Sequence, residues 1–377
     1  AYDSATGTNV KYDVATGLTY VVKTVDGNKS AVVLSANKAA SAITVPATLG
    51  GVTVVAIDKN AFVNYGNLKT LEIKAKLTSM SNLNGCVSLE KITFAGWFDE
   101  ADYTVTGFEE TALGKNSNVL VLGNALIAYN FAAETENPTV VAAESLAGVT
   151  EIPEGFFRGS DITAISFPES VLKIGAGAFK NCVSLENIDV NKVTFVDDEA
   201  FFGCAKLTDV TLPEVVSLGV SAFENCSSLA SVYIPKRINA GLIPVRAFYG
   251  CASLVRADIP EVIGFAVKDG VSSAFGNCSS LEDISFINRF SSIAGFAFAG
   301  CSSVKKVDFT VTTVTSVGNY AFSECTGIEY IVFSASVTSI GEKAFFSNYG
   351  NSIKSIEFKG SAGLLKSGEI PADVFPA

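Results

Sequence analysis

The phrase Ala-Phe-x-x-Cys returns seven times, at Ala178-Phe179…Cys182, Ala200-Phe201…Cys204, Ala222-Phe223…Cys226, Ala247-Phe248…Cys251, Ala274-Phe275…Cys278, Ala297-Phe298…Cys301 and Ala321-Phe322…Cys325. Successive cysteines stand 22, 22, 25, 27, 23 and 24 residues apart. Self-similarity at a fixed period of about 20–30 residues marks a solenoid, because one such unit cannot bury its own apolar face and must stack on its neighbours. An aliphatic residue precedes most of the phenylalanines by five places (Ile174, Val196, Leu218, Ile243, Ile293, Val317, Ile340). After the cysteine comes an aliphatic series such as Leu185, Ile188, Val190 or Leu229, Val232, Ile234.

Within a period, Ile188-Asp189-Val190 and Ile284-Ser285-Phe286 alternate with period two, which predicts a short strand with one buried face. Prolines such as Pro213, Pro235 and Pro260 break regular structure after it. One coil is therefore expected to hold a short strand, a turn, a second brief extended piece, and a tight helical turn at the Ala-Phe phrase. The phenylalanines would stack into a column, each contributing ~1.5–3 kcal/mol of burial. Weaker coils extend the array: Ala61-Phe62 with Tyr65 at the cysteine place, Leu83…Cys86, Phe157 with Ser160, and Ala344-Phe345 with Asn348. The predicted architecture is an α/β solenoid, mostly β: a right-handed array of about 11–12 coils with short strands and short helical turns. A strand-rich cap is expected over residues 1–40, with a hairpin turn in "TVDGNKS", and the solenoid over 41–377. Irregular coils and an inserted hairpin ("VLVLGNALIAYN") fall at about 95–150, regular coils at about 151–360 and a partial coil at 361–377. That last coil, opened by Ile370 and Phe375, leaves room for a spacer that continues into further chain.

The phrase "I-G-x-x-A-F-x-x-C-x-x-L-x-x-I-x-x-P" is matched nearly letter for letter by Ile174–Val190 and Leu218–Pro235. In this the chain resembles the BspA-like (type-5) leucine-rich repeats of bacterial and protist surface proteins, over roughly residues 40–377. The resemblance implies a noncatalytic recognition or adhesion module, extracellular or at the cell surface, binding host matrix proteins, epithelium or other microbes.

Eight cysteines in a secreted chain would ordinarily suggest disulfides. Coils about 4.8 Å apart do bring neighbouring residues within disulfide range. Yet Cys182, Cys204, Cys226, Cys251, Cys278, Cys301 and Cys325 occupy one place per coil, and Tyr65, Ser160 and Asn348 replace it without the loss of a partner cysteine. This placement favours a structural ladder of small buried thiols. A straight row offers no tetrahedral metal cluster, so no metal or other cofactor is expected.

The chain contains no histidine, which removes Ser-His-Asp and Cys-His catalysis and His-ligated zinc. Its net charge of -11 opposes nucleic acid and anionic membranes as partners. No apolar run approaches the roughly 18 residues needed to span a bilayer, so membrane insertion is not expected. The opening "AYDSATGTNV" lacks the pattern of a signal peptide, although a leader removed earlier would leave no trace. "GFEETALGKN" has the wrong spacing for a phosphate loop, and "IGAGAFK" belongs to the repeat. A carboxylate-based hydrolase remains a third reading, with Asp197-Asp198 and "FDEAD" (98–102) as its densest acids. Adjacent acids in a turn are more often a solvated corner.

Side chains between the buried strand positions form the default binding face of a solenoid. The first exposed column includes Arg256, Asp283, Lys306 and Tyr330; the second includes Tyr233, Asp258, Asp308 and Val332. The alternating signs of Arg256, Asp283 and Lys306 predict a charge ladder between coils. Tyr233, Tyr330 and Val332 are candidate anchors of a protein or glycan interface, or strand residues chosen only for β-propensity. Trp97 and Tyr103, in "FAGWFDEADY", form a candidate loop site that would stack on a sugar or plug an irregular coil. A polysaccharide-capturing protein of a nutrient-uptake system is the alternative they support. Nothing in the repeat specifies an oligomeric state.

Overall fold

The computed structural model describes all residues except 1, 4–7, 26–27, 95–104, 118, 123–124, 130–138, 191, 348–349, 351, 361–373 and 376–377. The described residues form a mostly-β solenoid of about 13 turns with almost no helix. The chain divides into two compact units, 1–153 and 154–377.

In the first unit, Tyr2–Asp3, Thr8–Asp13, Leu18–Val25, Asn28–Ser35, Val52–Ile57 and Thr48–Leu49 form a six-stranded sheet in that spatial order. The pairing changes character within it. Leu18–Val25 and Asn28–Ser35 make an antiparallel hairpin, whereas Asn28–Ser35 pairs parallel to Val52–Ile57. The sheet thus passes from a hairpin that closes its own hydrogen bonds to the parallel pairing of stacked coils. The first coils follow, with Ala42–Val45, Thr70–Ile73 and Lys91–Phe94 in a parallel sheet. The inserted strands Val119–Leu122 and Ala125–Tyr129 pair antiparallel.

The second unit carries the regular coils. Its first strands include Asp209–Thr211, Ser231–Tyr233 and Arg256–Asp258, paired in parallel with no shift of register. Its second strands include Lys173–Ile174, Phe195–Val196 and Ser217–Leu218. Between the two ladders runs the phenylalanine column. Phe157, Phe179, Phe201, Phe223, Phe248, Phe275, Phe298, Phe322 and Phe345 stack face to face, with centroids 5.1 to 5.9 Å apart and planes within 15° of parallel. A second column, Phe309, Phe333 and Phe358, stacks at 5.5 and 5.1 Å.

The Ala-Phe phrase does not form the helical turn expected for it. Alternate amides leave the coil: those of Gly177, Phe179 and Asn181 donate to the carbonyls of Asp198, Ala200 and Phe202 at 2.7–2.9 Å. The amides between them, of Ala178, Lys180 and Cys182, close onto the carbonyl three residues back. A helix would keep all these bonds within the segment; here half of them hold the next coil. Such a path needs left-handed backbone on both sides of the Ala-Phe pair, as at Glu199 (φ 55°) and Gly203 (φ 72°), or Ser221 (φ 56°) and Asn225 (φ 61°). Before the cysteine, Asn and Gly alternate through six coils, Asn181, Gly203, Asn225, Gly250, Asn277 and Gly300, and Glu324 takes the seventh place at φ 58°. Asn and Gly both tolerate that conformation. The alternation also has a packing cause, since a Cβ on Gly203 would lie 2.5 Å from Asn181 Oδ1 in the preceding coil.

Candidate functional site

Of the residues named as a binding face, all but Asp283 fall into two separate first-strand sheets, and Asp283 makes an isolated parallel bridge to Arg256. In one, Tyr233 is in register with Thr211 and Asp258, and Ser231 with Arg256. The other holds Lys306–Asp308, Tyr330–Ser334 and Ser355–Lys359, with Tyr330 between Lys306 and Ser355. Tyr233 and Tyr330 are each 42% exposed and stand on strands whose next residues, Val232 aside Tyr233 and Ile331 after Tyr330, are buried. Each tyrosine therefore stands on the solvent side of a strand whose other side faces the core. The Lys354 ammonium lies 5.9 Å from the Tyr330 ring centroid and pairs with Glu329 at 2.7 Å. This cation, which the repeat pattern did not single out, holds the Glu329 carboxyl below its ordinary range.

Val332 is not on that surface. It is 7% exposed, in a strand where Ile331, Val332 and Phe333 are all buried. It lies in register between Asp308 and Glu357 in a central strand, a small side chain between two longer ones.

The charge ladder between coils is also absent, because the pairs run along each strand. Arg256 bonds Asp258 two residues on at 3.1 Å, and Lys306 bonds Asp308 at 2.7 Å. Arg256 stands in register with Asp283 of the next coil, yet each cation reaches the carboxylate two residues on, along its own strand face. Asp308 is partly desolvated, which would raise its pKa, but the Lys306 ammonium and the hydroxyl and amide of Thr310 outweigh this and hold it at about 2. Asp283 Oδ1 instead accepts the Ser285 amide at 2.8 Å.

That bond begins the segment that separates the two sheets. Ile284-Ser285-Phe286 is not a strand: Ser285–Arg289 forms a 3-10 helix. The period-two reading overlooked a second spacing, Ile284, Ile287 and Phe290, which is period three and places all three side chains in the core. The Ile287 amide donates to the Ile284 carbonyl and the Phe290 amide to that of Ile287. Where a strand would have continued the ladder, a cleft of about 210 Å³ opens, lined by Asp283, Ser285, Asn288, Lys306, Asp308 and Val311.

The thiols face inward. All eight cysteines are free and buried, and each donates its S–H to the carbonyl of the phenylalanine one coil back, at 2.9–3.2 Å. Ser160 takes the same place and meets Cys182 Sγ at 3.4 Å. Burial pushes the thiols up, Cys251 and Cys325 to about 12, so they remain protonated and are poor nucleophiles.

Of the acid clusters, Asp197 pairs with Lys173 at 3.2 Å, and Asp198 accepts the Val220 amide at 2.7 Å. The cluster at 98–102, with Trp97 and Tyr103, lies outside the described residues. Among the described residues no three His, Cys, Asp or Glu side chains are grouped to hold a metal, and no helix is long and apolar enough to cross a membrane.

The profile described as BspA type leucine rich repeat region matches residues 39–111, 150–269 and 266–368. Among solved structures, a leucine rich cell surface protein from Faecalibacterium prausnitzii is 22% identical, with 95% of this chain and 97% of that chain covered and a TM-score of 0.43. A leucine-rich repeat protein from Bacteroides ovatus is 19% identical, covering 96% and 98% with a TM-score of 0.47. One from Eubacterium ventriosum is 15% identical, covering 85% and 95% with a TM-score of 0.40. No curated protein matches the chain.

Proposed function

We propose that this chain, which belongs to the family of BspA-type leucine-rich repeats, is a noncatalytic recognition module, secreted or held at a cell surface, that binds protein partners through its repeat surface. The partners in view are host matrix proteins, epithelium or other microbes. The observation that carries this reading is the pair of solvent-facing tyrosines, Tyr233 and Tyr330, each on a parallel strand backed by the core. An aromatic ring held by a rigid sheet contributes contact area and loses little conformational entropy on binding, which suits it as an anchor. Charged pairs on the same strands (Arg256 with Asp258, Lys306 with Asp308) supply a polar surround.

Catalysis has no comparable support. The thiols are protonated and buried, the chain lacks histidine, and Asp197 is neutralised by Lys173. The polysaccharide reading rests on Trp97 and Tyr103, and no observation on the described residues favours it.

The test is binding of the purified chain to immobilised matrix proteins and polysaccharides, beside a Tyr233→Ser/Tyr330→Ser variant. Saturable binding to a matrix protein, weakened at least about tenfold in the variant, is expected for two interface tyrosines. Binding to polysaccharide alone would refute the protein-recognition reading.

A further inference from the structure

The second-strand ladder is interrupted between Ser217–Leu218 and Leu242–Ile243, and the interruption has a specific cause. In regular coils the residue after the buried aliphatic donates its amide to the carbonyl of the equivalent aliphatic one coil back: Asp197 to Ile174, Gly219 to Val196, Ala266 to Ile243. The residue after Ile243 is Pro244, which has no amide hydrogen to give to Leu218. The Asn239 side chain takes over that role. Its Nδ2 donates to the Leu218 carbonyl at 2.7 Å, and its Oδ1 accepts the Leu218 amide at 3.2 Å. The three extra residues that lengthen this coil from 22 to 25 accommodate the detour.

The detour leaves a groove of about 520 Å³, with Leu218, Gly219, Pro244 and Val245 among its lining residues and Val220 and Asp198 beside them. The second-strand segments of these coils expose several large apolar side chains, of which Val220 lines the groove. Phe195, Val216, Val220, Leu242, Ile263 and Val267 are 46%, 42%, 43%, 38%, 37% and 56% exposed. Later coils show that the fold does not require this, since Ser292, Ser316 and Ser339 occupy the position of Phe195 and Leu242. Exposed apolar groups gathered beside a concavity mark an interaction site, whereas single scattered ones do not.

We infer that this groove is a docking site for an extended segment of a partner protein that carries an aliphatic side chain beside a lysine or arginine. The inference rests on the protein-recognition reading above and places a second contact on a different face of the repeat. Charge selects the occupant. Asp197 is matched by Lys173, but among the described residues the Asp198 carboxylate makes no ion pair and accepts one hydrogen bond, from the Val220 amide. A cation from the partner would pair with it, and the net charge of -11 attracts such a segment over a longer range. A second copy of the chain would bring the same acids and the same net charge to the groove, and an anionic bilayer would be repelled.

Short random peptides displayed on phage, selected on the intact chain, provide the test. Selected peptides are expected to pair a Val, Leu or Ile with a nearby Lys or Arg. Loss of the two exposed valines in Val216→Ser/Val220→Ser should weaken their affinity by about tenfold or more. Asp198→Asn should cost about threefold to fivefold, a loss that shrinks as salt rises. Because all three side chains are solvent-facing, circular dichroism melting should be unchanged and certifies that the variants fold.

Peptides that bind the Val216→Ser/Val220→Ser variant as well as the native chain overturn the assignment, as does binding indifferent to Asp198→Asn. Self-association in sedimentation equilibrium that this double variant abolishes overturns it in favour of a second copy. Peptide binding lost in Tyr233→Ser/Tyr330→Ser but kept in the groove variants refutes the groove and leaves protein recognition standing. Failure to bind any matrix protein in the immobilised panel is a separate result, against protein recognition itself.

Discussion

Raising the pH should destabilise this protein through its cysteines. Cys251 and Cys325 are held at about 12 by burial, and their thiols donate to the carbonyls of Phe223 and Phe298. In the unfolded chain each returns to its ordinary value near 9.0. Between those limits the unfolded chain releases thiol protons that the folded chain keeps. The unfolded state therefore binds fewer protons, and stability falls as pH rises; below pH 9 the thiols add no pH dependence. At about pH 10 an unfolded thiol is roughly nine-tenths ionised while the folded one stays protonated, a loss of about 1.4 kcal/mol each and nearly 3 kcal/mol for the two. Burial raises Cys204, Cys226, Cys278 and Cys301 well above their ordinary value too, and they act in the same direction.

The assay is urea unfolding followed by far-ultraviolet circular dichroism, comparing the native chain with Cys251→Ala/Cys325→Ala. The variant starts less stable at neutral pH because it lacks two sulfur contacts. Between about pH 7.5 and about pH 10 it should then lose about 3 kcal/mol less than the native chain does. Lysine and tyrosine titrations are common to both proteins and cancel in the difference. Equal losses would refute the claim that these thiols are buried and protonated in the folded state.

Two further expectations follow from the column and the turns. Phe223→Ala, which empties a place between rings 5.2 and 5.9 Å away, should cost about 3–5 kcal/mol in urea unfolding, against under about 1 kcal/mol for the exposed Phe195→Ala. Gly203→Ala combines a φ of 72° with a Cβ 2.5 Å from Asn181 Oδ1, and should cost about 1–2 kcal/mol. Adding Asn181→Gly removes the clash but not the backbone strain, so a double-mutant cycle should show a coupling of about 0.5 kcal/mol or more.

The division between sequence and tertiary structure is clear at particular residues. Sequence alone determined the solenoid, its Phe column and its inward-facing cysteine row, because a buried position in a stacked array must recur at the coil period and its chemistry is visible each time. It also marked Tyr233 and Tyr330 as solvent-facing, since period-two alternation puts them opposite Val232 and Ile331. Tertiary structure decided whatever depends on which neighbour a residue meets. Ile284-Ser285-Phe286 satisfies period two and, extended to Ile287 and Phe290, period three, and only packing against Phe265 and Phe298 selects between them. Arg256 and Lys306 each reach the carboxylate two residues on along their own strands, although Arg256 is in register with Asp283 of the next coil. Val332 is covered by its register neighbours, which lie about 24 residues away in sequence. The apolar groove depends on an insertion that brings Asn239 beside Leu218, a contact that no local pattern encodes. A repeat specifies what is buried in every coil; where coils differ in length, only their stacking determines what each exposed side chain faces.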